Sequence, residues 1–88
     1  MFHQHRFVTL TMDDQNLRSI FAEVFNLDSQ AIRDELSPDT VDAWDSFGHM
    51  RLITAIERSL NIRLTMDEVV SVDSYGTLRR VVADASGR

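Results

Sequence analysis

The sequence predicts an all-α protein: a small four-helix bundle of three longer helices and one short helix, with a long loop between helices 1 and 2. Apolar residues recur at three- and four-residue steps in three stretches and briefly in a fourth, and nothing sustains the alternation of a strand. Helix-start residues stand ahead of each stretch. At 88 residues and 43% apolar, the chain has enough material for one domain and one core.

The first helix is expected from about Asp14 to Asn26. Leu17, Ile20, Phe21, Val24 and Phe25 form its apolar side, with Asp13 and Asp14 as cap and dipole charge. A connection from Leu27 to Asp45 follows. Ser37-Pro38 disfavours helix there, Gln30 to Leu36 has room for a single turn, and Ile32, Leu36 and Val41 tie it to the core. The second helix spans Ser46 to Leu60, with Phe47, Met50, Ile53, Ile56 and Leu60 as one apolar stripe and Asn61 as a left-handed C-cap. A short third helix follows Thr65, which has capping-box spacing to Glu68; Val69, Val70 and Val72 give it an apolar side. Ser74 caps the fourth, which buries Tyr75, Leu78, Val81, Val82 and Ala85. Residues 1–12 are expected to be a flexible segment, 13–85 the domain, and 86–88 a frayed end.

The balance of charge narrows the function classes. A net charge of −5 disfavours nucleic acid, and Asp13 to Asp45 alone carries −7. That acidic half either steers basic partners or keeps the surface solvated. From Ser46 to Leu60 the balance is +1, from Arg51, Glu57 and Arg58. There are no cysteines, which excludes disulfides and thiolate metal sites. His3 and His5 lack companion ligands, so no metal is expected. Nothing resembles a membrane span or a secretory signal, and a cytoplasmic monomer is expected.

Chemistry concentrates at Asp45-Ser46-Phe47, where the acidic loop meets the second helix. Ser46 there suits a plain N-cap, a nucleophile or a phosphodiester site, because helix N-termini favour phosphate. As a nucleophile it would take His49 as base and Asp45 as orienting acid. Asp45 is adjacent to the serine and poorly placed to reach the far imidazole nitrogen, and a bundle of this size offers little pocket volume. His49 is therefore expected as a partly exposed surface residue.

Several elements occur in order around this serine: a first amphipathic helix, Ser37-Pro38-Asp39, Trp44-Asp45-Ser46-Phe47, Leu52-Ile53, Ile56-Glu57, Asn61-Ile62-Arg63-Leu64, Thr65-Met66-Asp67-Glu68-Val69, and Ser74-Tyr75-Gly76-Thr77-Leu78. Over residues 13 to about 85 this set resembles the acyl carrier protein family, the phosphopantetheine-binding carrier domains. The resemblance implies that Ser46 accepts a 4′-phosphopantetheine arm from coenzyme A. A separate phosphopantetheinyl transferase does this with magnesium, so the carrier needs no base and is no enzyme. Asp45 would help dock that transferase. The arm ends in the thiol that this chain lacks, so acyl groups would travel as thioesters. Other implied partners are an acyl- or aminoacyl-activating enzyme and a downstream acyltransferase or synthase. A stand-alone acyl carrier is the leading reading. An aminoacyl or peptidyl carrier in secondary-metabolite assembly is the alternative, and a helical interaction module without a prosthetic group is the rival from another class.

The chain departs from the family pattern just after the serine. Phe47 replaces the usual leucine and is expected first as a core residue. Where fatty-acid carriers show a strongly acidic second helix, this one shows Gly48, His49, Arg51 and Arg58. Phe47, Gly48, His49 and Arg51 are thus the candidate partner-binding residues. Gly48 either admits close approach of the arm or a partner backbone, or lets the helix start fray. Trp44 is expected to seal the loop onto the bundle. Met50, Ile53, Ile56, Val69 and Tyr75 are the candidate lining of an acyl crevice between the second and third helices.

Overall fold

The computed structural model describes the backbone of residues 2–87 and the side chains of residues 14–87. Its helices are α1 (Phe2–Phe25), α2 (Ser46–Leu60), α3 (Met66–Ser71) and α4 (Tyr75–Ser86), with one 3-10 turn at Ser29–Ala31 between α1 and α2. Among the described residues there is no strand, and the all-helical class predicted from the sequence holds.

The start of α1 differs from expectation. The helix begins at Phe2, so Asp13 and Asp14 lie within it and not at its start. Neither proline nor glycine interrupts residues 2–13, and every residue type there is tolerated in a helix interior. The flexible segment expected over 1–12, with His3 and His5, falls on residues whose side chains lie outside the described ones. The single turn of the loop sits at Ser29–Ala31, a little before the expected place, because the Asp28 carboxylate caps it by accepting from the Gln30 amide at 2.9 Å.

Helix ends follow local chemistry. Asn26 and Asn61 adopt φ of 56° and 55°, and the amides of Leu27 and Ile62 reach back to the carbonyls of Ala22 and Glu57. Each asparagine takes the left-handed position after its helix, which turns the next residue's amide back to make the six-to-one bond that closes it. Thr65 with Glu68, and Ser74 with Thr77, form complete capping boxes at the starts of α3 and α4. Gly87 caps the end of α4.

One aromatic cluster centres the core. Phe21 meets Phe25, Trp44 and Tyr75 edge-on at 5.0, 5.2 and 5.0 Å between ring centroids. Burying each ring is worth about 1.5–3 kcal/mol, and each edge-to-face pair adds about 0.5–1.5 kcal/mol. Leu17, Leu52, Ile56, Leu78 and Val82 complete the interior. Ile32, Leu36 and Val41 tie the loop to it as expected.

The loop is also held by hydrogen bonds. Arg18 of α1 donates to the carbonyls of Ser29 and Ile32 at 3.1 and 2.7 Å. At the start of α4, the amides of Tyr75 and Gly76 donate to Leu36 and Asp34 at 2.9 and 3.1 Å. Arg79 grips the Asp34 carboxylate through both Nε and a terminal nitrogen, at 3.0 and 2.7 Å.

Two predictions concern this framework. The Tyr75 hydroxyl is buried with no hydrogen-bond partner, and burial raises its pKa to about 12. A raised folded-state value leaves stability intact below the ordinary 10.0 and erodes it as pH climbs toward 12. Tyr75→Phe removes an unsatisfied polar group, so urea titrations should show it as stable as wild type or about 1–2 kcal/mol more stable. The variant should also lose the alkaline decline. For Asp34, the Arg79 hydrogen bond holds the carboxyl below its ordinary 3.8. Its contribution is therefore present at neutral pH and lost as pH falls through the lowered value. Because the pair is exposed, Asp34→Asn should cost under about 1 kcal/mol at pH 7, with the difference vanishing in strong acid.

Candidate functional site

The loop delivers the site in a fixed order. Ser37 to Val41 close on themselves, with the amides of Thr40 and Val41 both donating to the Ser37 carbonyl at 2.9 Å. Trp44 then turns inward and is buried against Phe21 and stacked on Phe25 at 5.7 Å, sealing the loop as expected. Asp45 stays extended, with φ −94° and ψ −170°, and its carboxylate accepts from the Gly48 amide at 2.7 Å.

Asp45 is therefore the N-cap, and Ser46 is the first helical residue. This corrects the reading of Ser46 as the cap. A carboxylate accepts from a helix amide more strongly than a hydroxyl and also complements the positive end of the helix. The Ser46 hydroxyl is consequently exposed and has no hydrogen-bond partner among the described residues. It stands at the N-terminal end of a fifteen-residue helix with its oxygen uncommitted.

Gly48 is buried, and a Cβ there would collide with the Ala43 carbonyl oxygen and come within 3.1 Å of the Phe25 ring. The close approach expected of glycine is made by the protein's own loop, which leaves Gly48 no surface to offer a partner. His49 is partly exposed, as expected, but both of its ring nitrogens are engaged. Its Nδ1 accepts from the Trp44 indole N–H at 2.9 Å, and its Nε2 lies 2.9 Å from the Val69 carbonyl. Indole can only donate, so Nδ1 is the bare nitrogen and Nε2–H donates to Val69. The ring stacks on Trp44 at an interplanar angle of 12° and joins the loop, α2 and α3. With both nitrogens engaged, His49 is not a base for Ser46.

Beside the serine runs an open groove of about 620 Å³. Met50 and Val69 line it, as expected of a crevice, together with His49, Met66, Val70 and Pro38. Ile53, Ile56 and Tyr75 are buried and do not line it. Phe47 and Met50 are not core residues either: the buried face of α2 is Gly48, Leu52, Ile53 and Ile56. At about 100° per residue, Phe47 lies opposite that face, and the apolar spacing from 47 to 60 drifts around the helix. Val70 faces out for a similar reason, since it follows the buried Val69 by one residue on a six-residue helix. Met66 and Val70 were missed as groove residues, although their i, i+4 spacing on α3 was the signal. Among the described residues no group of three metal-ligating side chains gathers, and no helix is long and apolar enough to cross a membrane.

The fold has a solved counterpart. A solution NMR structure of a holo acyl carrier protein from Geobacter metallireducens superposes with a TM-score of 0.75 and 34% sequence identity. The match covers 84% of this chain and 85% of that one. The chain belongs to the acyl carrier protein family. No protein-family model and no curated protein matches the sequence. The site of this chain is marked by a Phe47 that faces solvent, the Trp44–His49–Val69 link and the glycine-dependent seat of the loop on α2.

Glycine 48 gives a sign-reversed prediction. Gly→Ala within a helix normally stabilises by about 1 kcal/mol. Here the added methyl meets the Ala43 carbonyl, so Gly48→Ala should destabilise by about 1–3 kcal/mol in urea unfolding, while Ser59→Ala at an exposed position on the same helix should not.

Proposed function

We propose that this protein is a non-enzymatic acyl carrier whose Ser46 Oγ forms the phosphodiester to a 4′-phosphopantetheine arm. The observation that carries the reading is the Ser46 hydroxyl itself: exposed, uncommitted, and at the positive end of α2, with an apolar groove beginning beside it. A nucleophile that acted unaided would require a base, and His49 is engaged elsewhere. A hydroxyl modified by a separate transferase requires access instead, which Ser46 has.

The residues present fit the group. The first-turn amides of α2 favour a phosphate on Ser46, Asp45 holds that turn closed, and Met50, Met66, Val69 and Val70 offer apolar surface for the arm and cargo. When attached, the arm supplies a thiol that can carry acyl groups as thioesters, chemistry that a chain without cysteine cannot otherwise perform. Asp45 remains exposed despite its capping bond and is the residue proposed to face the transferase. The proposed working partners are that transferase, an acyl- or aminoacyl-activating enzyme, and a downstream acyltransferase or synthase.

Intact mass after incubation with coenzyme A, magnesium and a broad-specificity phosphopantetheinyl transferase tests this. The expected result is a gain of one phosphopantetheinyl unit that Ser46→Ala abolishes. No gain under conditions that modify a control carrier would overturn the reading.

A further inference from the structure

The exposed large apolar side chains of the described residues are Phe47, Met50, Met66 and Val70, at 78%, 51%, 73% and 75% exposure. All four lie on α2 and α3, beside Ser46, and nothing similar occurs on residues 14–25 of α1, on α4 or on the described loops. Single exposed apolar residues are ordinary, but a cluster on one face marks an interaction surface.

The charge of that face runs against the rest of the molecule. Phe47, Arg51, Thr54 and Arg58 recur at four-, three- and four-residue steps and share the outer side of α2. All four are exposed, and Arg51 and Arg58 form no ion pair among the described residues. Glu57, the only acid of α2, is committed to the Leu64 amide at 3.0 Å. Glu68 of α3 is committed to the Thr65 amide at 2.8 Å, which leaves Asp67 as the remaining carboxylate on the two helices. A chain of net charge −5 thus presents two uncompensated arginines beside its exposed apolar residues.

We propose that the outer face of α2, continued by Met66 and Val70 of α3, docks a folded protein partner with an apolar socket rimmed by carboxylates. Phe47 and Met50 supply the anchors, and Arg51 and Arg58 the paired rim. Arginine and aromatic residues concentrate interface energy, and complementary charge selects the partner and speeds encounter. A basic rim meets repulsion from both arginines. An anionic membrane also fits poorly, because two arginines attract it only weakly while the acidic stretch from Asp13 to Asp45 repels it. The inference rests on the carrier reading for what the partner does, but the contact is made by the unmodified chain.

The test uses the full-length apo protein labelled with 15N, titrated with a carrier-dependent condensing enzyme whose docking rim is basic. A second titration uses that enzyme with the rim Lys and Arg residues replaced by Glu. The acid-rimmed form should bind at least about tenfold more tightly in low salt, with the gap narrowing as screening increases. Amide shifts should cluster at 47–58 and 66–70. Arg51→Glu with Arg58→Glu should reverse the preference, and Phe47→Ala should weaken binding to both forms. Equal or tighter binding to the basic rim, or shifts that map to other helices, overturns the proposal. So does engagement of this face by anionic vesicles or by self-association at the same concentrations. Transferase-dependent mass gain reads Ser46 separately. Gain without acid-rim preference sinks only the docking proposal, and preference without gain sinks only the attachment.

Discussion

The indole of Trp44 is the constraint on which the site depends. Its ring is packed against Phe21 and Phe25, so it holds the end of the long loop on α1. Its N–H is donated to His49, and His49 passes the connection to the carbonyl of Val69. A buried indole N–H without an acceptor would cost about 1–3 kcal/mol, so the histidine one turn into α2 is structurally required. That chain of bonds sets α3 against α2 and thereby shapes the groove beside Ser46. It also removes from the neighbourhood of the serine the one side chain suited to activate it. The same bonds that seat the loop on α2 and α3 therefore leave Ser46 without His49 as a base.

Gly48 completes this platform from the other side. The Ala43 carbonyl occupies the space that a side chain would need, so the loop reverses into the helix with almost no separation. The helix-propensity cost of about 1 kcal/mol is offset by the Asp45 cap at the same amide. Trp44 inward, Asp45 capping and Ser46 outward follow as consecutive consequences of one tight turn. The serine is exposed because its two predecessors are occupied.

Features written in short-range chemistry were legible in the sequence. Ser46–Leu60, the Asn61 cap, the Thr65–Glu68 box and the Ser74 cap depend on residues within a few positions of each other, and each appears where the sequence placed it. Features that depend on which side of a helix meets the core were less legible. Phe47 and Val70 are apolar at helical spacing, yet both face solvent, because periodicity counts apolar residues without fixing the direction of the buried arc. The choice of Asp45 over Ser46 as cap was ambiguous for a different reason: both residues are good caps, and only the backbone angle at Asp45 decides which stands outside the helix. The Trp44–His49 bond spans five residues across a loop–helix boundary, where neither helical nor strand periodicity speaks.

The exposure of Phe47 is a consequence of register and not of a free side chain that happens to point outward. Asp45 fixes where α2 starts, and Leu52, Ile53 and Ile56 fix which side meets the core. With about 3.6 residues per turn, those two conditions leave no rotation that brings Phe47 inward without expelling Leu52 or Ile56. Both of these are fully buried, and losing either from the core would cost about 2–5 kcal/mol, more than burying Phe47 returns. The apolar face beside the serine is thus held open by the core itself. A partner can cover it, but the protein cannot fold it away.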